Sequence, residues 1–493
     1  MNEQLIPLIV IAPLLTALLT PLLSYFSSIL LRIFSVLSVA VSAYSALQAL
    51  LATLENGPLR YFFGGWPPPI GIEYVIDPLS GIIALLISSI SLIVIVYAGS
   101  YLKNENWLKQ ATFFGLYLLI TAGLLGMVVT GDVFNLYVFL EISSLATYGI
   151  IAAGGYKGMV ASFKYLLLGT IGASLYLLGI GYLYGLTGTL NMLDLQILVQ
   201  PLMDTPALMI ALVLIAVGLA LKTALFPLHG WLPDAYTYAP PPATAFISGV
   251  ATKVPAYVML RLFYMIFAGA EGLVPQIMTV LGWLAVGGII IGSIMAIAQT
   301  DLRRMLAYSS VAQVGYIVLG LAIGNIYAFI GAVLHIISHA VMKSCLFLVA
   351  GGVQYKNKDV SIEGLIGMCK KMPLSMGALV LAALSMIGIP PMGGFFSKWY
   401  LVLGAIEKNM WIYVAVLVLS SLLNLIYFFR LIENIYLRND KETNVTTAPK
   451  GLELPLPMII PILVLGIGIV AIGLFNEQIV TQVLQFAVMG GGY

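Results

Sequence analysis

Charge is what this chain has least of. Only 9% of its 493 residues are Asp, Glu, Lys or Arg, where soluble chains carry about a quarter. Hydrophobic residues make up 61%, and mean hydropathy is +1.05. No soluble domain of this length hides so much apolar surface, so a water-soluble enzyme is excluded. Cysteine is nearly absent: Cys345 and Cys369 stand without a CxxC pair. An iron–sulfur cluster takes about four thiolates, so none is expected within this chain. No Walker A sequence and no GxGxxG loop occurs, so no nucleotide cofactor is expected either. Redox or ATP energy would have to arrive from another subunit. The longest polar connections, 55–77, 186–206, 353–373 and 438–454, are too short for a soluble domain. The net charge of +2 says little, and nucleic acid is not among the expected partners.

What the chain does have is apolar runs of about 20 residues, each long enough to cross ~30 Å of hydrocarbon. The runs are continuous rather than alternating, which excludes a β-barrel. Fourteen spans are expected, at 5–23, 29–54, 78–99, 111–130, 132–153, 159–185, 207–228, 240–266, 273–298, 304–322, 326–351, 374–405, 410–437 and 455–475. The first contains Pro7, Pro13 and Pro21 and has no basic segment before it, so it reads as a permanent helix rather than a cleaved signal. The expected fold class is an all-α polytopic membrane protein lying in a lipid bilayer.

Basic residues orient it. Loops after odd-numbered spans hold twelve, including Lys103, Lys109, Lys157, Lys441 and Lys450, whereas loops after even-numbered spans hold Arg60 and Lys408. By the positive-inside rule the odd loops are cytoplasmic, and both termini face out.

Other cations fall within spans, where a charge costs roughly 2.5–3.5 kcal/mol on insertion scales and usually marks an ion path. Arg261 and Arg430 lie toward helix ends and can snorkel. Lys164, Lys222, Lys253, Lys343 and Lys398 are harder to dismiss. Lys222 ends the seventh apolar run, five residues before Pro227; Lys398 follows IPPMGG in the twelfth span, 374–405, which is too long for one straight helix. Proline disrupts the helical turn before it, and broken helices are tolerated where they line a cavity or lie within protein. Two breaks five spans apart fit inverted repeats with sites at the breaks. The expected units are residues 1–110, a first repeat at 111–266, a second at 267–437, and a tail at 438–493.

Glu141 lies nine residues after Asp132 on the opposite face of a helix, ~13.5 Å deeper. It can form a structural ion pair, or act as a carboxylate whose proton affinity follows a nearby lysine. Lys222 is the natural partner, and Lys164 is the alternative. His335, His339 and Lys343 are spaced i, i+4, i+8 and so form one stripe down a helix. A proton relay suits them, since histidine both takes and gives a proton; a His-x3-His zinc pair is the rival, without an evident third ligand. Lys253 stands one span beyond Lys222, where desolvation makes a lysine a usable proton carrier. His229 and Asp234 lie in the turn between those spans, as solvated uptake residues or as mere turn polarity. Gln313 is a neutral group that can hold a water in the same path. Tyr- and Met-rich stripes read as helix packing.

The stretches GDVFNLYVFLEISSLATYGIIA, LKTALFPLHGWLPDAYTYAPPPATAFISGVATKVPAYVMLR, DLRRMLAYSSVAQVGYIVLG, LHIISHAVMKSCLFLVAG and IGIPPMGGFFSKWYL resemble the antiporter-like family. That family holds the large membrane subunits of complex I and of Mrp-type sodium/proton antiporters, and related hydrogenase subunits. The resemblance spans about 78–437. It implies fourteen helices in two inverted five-helix repeats, each with a broken helix. It also implies roles: Glu141 and Lys222 as the paired switch, Lys253 as the bridge, His339 and Lys343 as the relay, and Lys398 as the outward exit. One branch has glutamate at that last place, and some members have histidine in place of Gln313. The chain's extent looks most like the mid-sized D-type Mrp subunit or its hydrogenase counterpart.

The function this implies is proton translocation within a multisubunit complex in the plasma membrane of a prokaryote. Mrp-type antiport stands first, with sodium as a second candidate ion. The alternative is a redox-driven complex such as a hydrogenase, sulfur reductase or quinone reductase, with iron–sulfur peripheral subunits. A scaffold subunit and a solitary solute transporter are weaker rivals.

Overall fold

In the computed structural model, the described residues are 4–268, 272–438 and 453–485. Helices dominate. In order they are α1 (Leu5–Phe26), α2 (Ser28–Asn56), α3 (Pro78–Tyr101), α4 (Trp107–Val129), α5 (Val133–Ala152), α6 (Tyr156–Thr187), α7 (Met192–Leu198), α8 (Pro206–Thr223) and α9 (Leu232–Tyr238). The eighth apolar span forms α10 (Pro241–Ile266). Then follow α11 (Leu273–Ile297), α12 (Leu302–Ile323), α13 (Ile326–Asn357), α14 (Pro373–Ile387), α15 (Gly393–Glu407), α16 (Trp411–Tyr436) and α17 (Leu456–Leu474). Thirteen described helices are long and apolar enough to cross a membrane. The expected twelfth span is the α14–α15 pair, so the apolar runs locate the helices well. The chain is a multi-pass membrane protein. Lys441 and Lys450 lie outside the described residues.

Burial separates centre from rim. The most apolar window of α13 is 100% buried and that of α10 94%, against 39% for α6 and 33% for α16. The rim helices present leucine, isoleucine and phenylalanine outward, as lipid contact requires, since no hydrophobic effect drives apolar helices together inside hydrocarbon. Close contact there depends on small residues. Where α6 crosses α8, a Cβ on Gly218 would lie 2.6 Å from the Gly172 carbonyl oxygen and 2.9 Å from the Tyr176 amide nitrogen.

Not everything is helical. The connection 55–77 contains a hairpin of β1 (Leu59–Phe62) and β2 (Glu73–Ile76), antiparallel with Leu59 opposite Ile76. It docks on the α4–α5 turn: the Gly131 amide donates to the Glu73 carbonyl at 3.0 Å, and the Asn191 side-chain amide donates to the Glu73 carboxylate at 2.6 Å. The chain is therefore nearly, rather than wholly, helical.

The two arginines toward helix ends are both held by protein groups. Arg261 is buried and pairs with Asp77, the N-cap of α3, with Nη2 to Oδ1 at 3.0 Å. Arg430 donates to the Ile297 and Gln299 carbonyls at 3.0 and 2.6 Å, satisfying the open C-terminus of α11. Both helix ends carry orphan backbone groups that a polar side chain stabilises. Arg32, near the start of α2, donates to Gln110 of α4 at 3.0 Å.

Candidate functional site

The seventh span breaks earlier than its proline. Its helix ends at Thr223, Ala224 takes a left-handed φ of 60°, and the Leu225 amide reaches back to the Ala220 carbonyl at 2.9 Å. The 5→2 and 6→1 bonds of such a C-terminal turn close a helix without proline; Pro227, four residues beyond Thr223, has no N–H with which to continue it. The Leu221 carbonyl accepts from the Ala224 amide and also from the indole of Trp231, both at 3.1 Å, and that indole stacks on Tyr165 with ring centres 3.6 Å apart. Lys222 is thereby fixed in the last turn of α8, where the helix dipole favours a cation.

Lys222 is buried and lies 3.7 Å from Glu141 of α5. Its ammonium donates to the Ser144 hydroxyl at 2.7 Å and the Tyr148 hydroxyl at 3.3 Å. Ser144 and Tyr148 follow Glu141 by three and seven residues, so the three share one helix face. That spacing is the signal by which sequence reading could have found them. A cavity of about 20 Å³ adjoins Lys222, lined by Ser144, Thr147, Tyr165 and, from α10, Ala251 and Pro255. One water needs roughly 10–15 Å³.

Lys164 takes the other path. It does not pair with Glu141. It lies two turns into α6 with its side chain 53% exposed, and contacts Asp234 at 2.7 Å. Asp234 also accepts from Arg304 of α12 at 3.0 Å, so this carboxylate of α9 ties α6 to α12. The triad is a surface tie, and Lys164 does not belong with the buried lysines. His229 sits in the turn, its ring 5.5 Å from that of Phe226.

The remaining predicted residues converge at the centre. Lys253 is 1% exposed and donates to the Ser248 carbonyl one turn back, in a π-helical stretch (Ile247–Ala251) of α10. Such π-bulges are frequent at functional sites. Lys253 lies within electrostatic reach of His335, His339 and Lys343. Those three run down α13, all fully buried, with the histidine rings stacked 5.6 Å apart. Lys343 donates to the Leu306 carbonyl at 2.7 Å and to the Ser309 hydroxyl. His335 Nδ1 and the Ser397 hydroxyl of α15 are 3.0 Å apart. Among the described residues, no group of three His, Cys, Asp or Glu is placed to hold a metal.

Lys398 closes the row at the second break. Gly388, with φ 96°, ends α14 in a left-handed conformation that glycine adopts without strain. Lys398 then folds back and donates to the Met386 and Ile387 carbonyls at 2.9 and 3.0 Å. Its ammonium also lies 5.1 Å over the Tyr316 ring of α12. Lys222 and Lys398 are thus both placed at the C-terminal end of a half-helix. Each of the four buried lysines is held by carbonyl or hydroxyl oxygens.

Between these lysines, polar atoms stand alone. Both amide atoms of Gln313, Nε2 of His335, the Ser338 hydroxyl and both ring nitrogens of His339 are buried without a hydrogen-bond partner among the described residues.

Known proteins share this architecture. A model of the NADH:quinone oxidoreductase/Mrp antiporter transmembrane family matches residues 130–424. NADH-quinone oxidoreductase subunit N of Desulforudis audaxviator (strain MP104C) is 54% identical, over 99% of each chain. The D-type Na(+)/H(+) antiporter subunit of Alkalihalophilus pseudofirmus (strain ATCC BAA-2126 / JCM 17055 / OF4) is 32% identical, over 90% of this chain and 92% of that one. A chain in the solved membrane-bound sulfane sulfur reductase, an archaeal respiratory membrane complex, superposes with a TM-score of 0.92 at 30% identity, over 99% of this chain and 98% of its own. With the match covering more than half its length, the chain belongs to the NADH:quinone oxidoreductase/Mrp antiporter membrane family.

Proposed function

We propose that this chain translocates protons as one membrane subunit of a larger complex. The observation that carries the reading is the row of unpartnered buried polar atoms on Gln313, His335, Ser338 and His339, flanked by buried Lys253, Lys343 and Lys398. Buried polar groups are nearly always hydrogen-bonded, so water occupies this zone and joins the titratable groups. Protons pass from Lys222 through Lys253 to His339 and Lys343, and leave by Lys398. Glu141 sets whether Lys222 keeps its proton: with the pair closed the lysine is favoured charged, and with the pair apart it gives the proton onward. On this reading 111–266 and 267–437 are inverted repeats around the two breaks, and the basic membrane end faces the cytoplasm of a prokaryote. Lys222→Ala, Lys253→Ala and Lys398→Ala should each abolish proton pumping by the assembled complex with assembly intact. Normal pumping in these variants would refute the path.

The driving partner is favoured to be a redox module. The relative named as an NADH-quinone oxidoreductase subunit is 54% identical, against 32% for the antiporter relative. Cation/proton antiport, expected first from the chain's extent, is therefore not specifically favoured. Copurified iron–sulfur subunits would support the redox assembly; small membrane subunits alone would support the antiporter.

A further inference from the structure

At the membrane end where basic residues concentrate, the α3–α4 turn, the start of α4, the α5–α6 turn and the α9–α10 junction enclose a cavity of about 720 Å³. It lies apart from the proton path. Three cations face it, Lys109, Lys157 and Arg303, against one carboxylate, Glu105. Glu105 engages Lys109 at 3.0 Å. Lys157 has no carboxylate partner among the described residues and sits 5.6 Å over the Tyr238 ring. Arg303 donates to Gln354 and Asp301, both at 3.1 Å, and its Nε is buried with no hydrogen-bond partner.

Further into α4 than Lys109 the wall is apolar, formed by Phe113 and Leu116, with Leu108 at the mouth. Tyr156 lines it and stands exposed, as aromatic residues do at headgroup level. A cationic mouth over an apolar wall matches a molecule that is anionic at one end and oily at the other. An acidic loop of a protein partner would fit the mouth and leave the apolar wall unmatched. Basic pockets between transmembrane helices are suited to anionic lipid headgroups.

We propose that this cavity binds an anionic phospholipid, with its phosphate held by Lys109, Lys157 and Arg303 and its acyl chains along Leu108, Phe113 and Leu116. The cavity wall includes Ala239 and Pro240, the linker between α9 and α10, with the helix ends on either side of it. A bound headgroup therefore braces that linker against α4 and α6 and raises the stability of the folded chain.

The purified full chain in neutral detergent is titrated with dioleoylphosphatidylglycerol, dioleoylphosphatidylcholine or inorganic phosphate, and its unfolding midpoint is followed. Phosphatidylglycerol should raise the midpoint saturably, and phosphatidylcholine should not. Lys109 and Lys157 are exposed, so K109Q/K157Q retains the fold and should weaken phosphatidylglycerol on the order of tenfold. K358Q/K370Q removes the same charge from exposed positions outside the cavity and should leave the affinity unchanged. Three results would overturn the proposal: unchanged affinity in K109Q/K157Q, equal weakening in both double variants, or a shift reproduced by inorganic phosphate alone. Absence of a saturable shift with phosphatidylglycerol would overturn it too.

Discussion

Glu141 and Lys222 stand 3.7 Å apart, yet the short contacts of Lys222 are to the Ser144 and Tyr148 hydroxyls, at 2.7 and 3.3 Å. The ammonium keeps these oxygens when the carboxylate moves off, so opening the pair removes its counter-charge but not its hydrogen-bond partners. Ser144→Ala removes the shorter contact, and a hydrogen bond to a charged group contributes roughly 1.5–3 kcal/mol. Proton pumping in inverted vesicles, followed with a pH-sensitive dye, should fall about tenfold or more. Glu141→Gln should abolish it. Unaltered pumping in Ser144→Ala would make the serine a bystander.

Lys398 supplies hydrogens to the last carbonyls of α14. Lys398→Gln retains a donor and should cost about 1 kcal/mol. Lys398→Glu sets a carboxylate against two carbonyl oxygens at the negative end of a helix, and should cost roughly 2–3 kcal/mol. The family branch with glutamate at this place makes the test pointed. Thermal unfolding of the two variants decides it; equal midpoints would refute the capping role.

Arg261 and Asp77 form a buried pair away from the proton path. Burial raises the Asp77 carboxyl, but the charge and hydrogen bonds of Arg261, with those of Ser80, lower it further, so it lies below the usual carboxylate range. A depressed folded pKa stabilises above the unfolded value of about 3.9 and is lost as pH falls through the folded value. Asp77→Asn should therefore be about 3 kcal/mol less stable at pH 7, because buried Arg261 loses the charge of Asp77. The gap from the unsubstituted chain should begin to narrow below about pH 4 and close once pH falls below the folded value. A gap independent of pH would refute the electrostatic account.

Gly218→Ala tests the helix crossing that positions Lys222. The added methyl would meet the Gly172 carbonyl oxygen at 2.6 Å, and overpacking of this kind costs typically 1–3 kcal/mol. Lys222 lies one turn beyond Gly218, so the displacement should lower pumping as well as the unfolding midpoint. An unchanged midpoint would show that α6 and α8 are free to part.

The spans were legible because each is a run of apolar residues, and the two breaks because proline and glycine interrupt those runs. The depth of a charge was not. Lys164 and Lys222 both sit in apolar surroundings in the sequence, but Lys164 lies on an outward face of α6 and reaches the surface, where Asp234 meets it, whereas Lys222 faces α5. Partner choice depends on which helices pack, and local pattern does not carry that. The same holds for Arg261 and Asp77, 184 residues apart. The hairpin at 59–76 escaped notice because four-residue strands are too short to show alternation against a polar connection.

The sheathing of α13 bears on how such a protein can work. With its apolar window buried throughout, that helix cannot tilt without displacing every neighbour, and close-packed interiors resist such deformation. On the proposed path, charge advancing along His335, His339 and Lys343 would then be accommodated by rotating side chains and reorienting solvent. The scaffold would act as insulation around a conductor, with leakage to lipid limited by the thickness of the helices that wrap it.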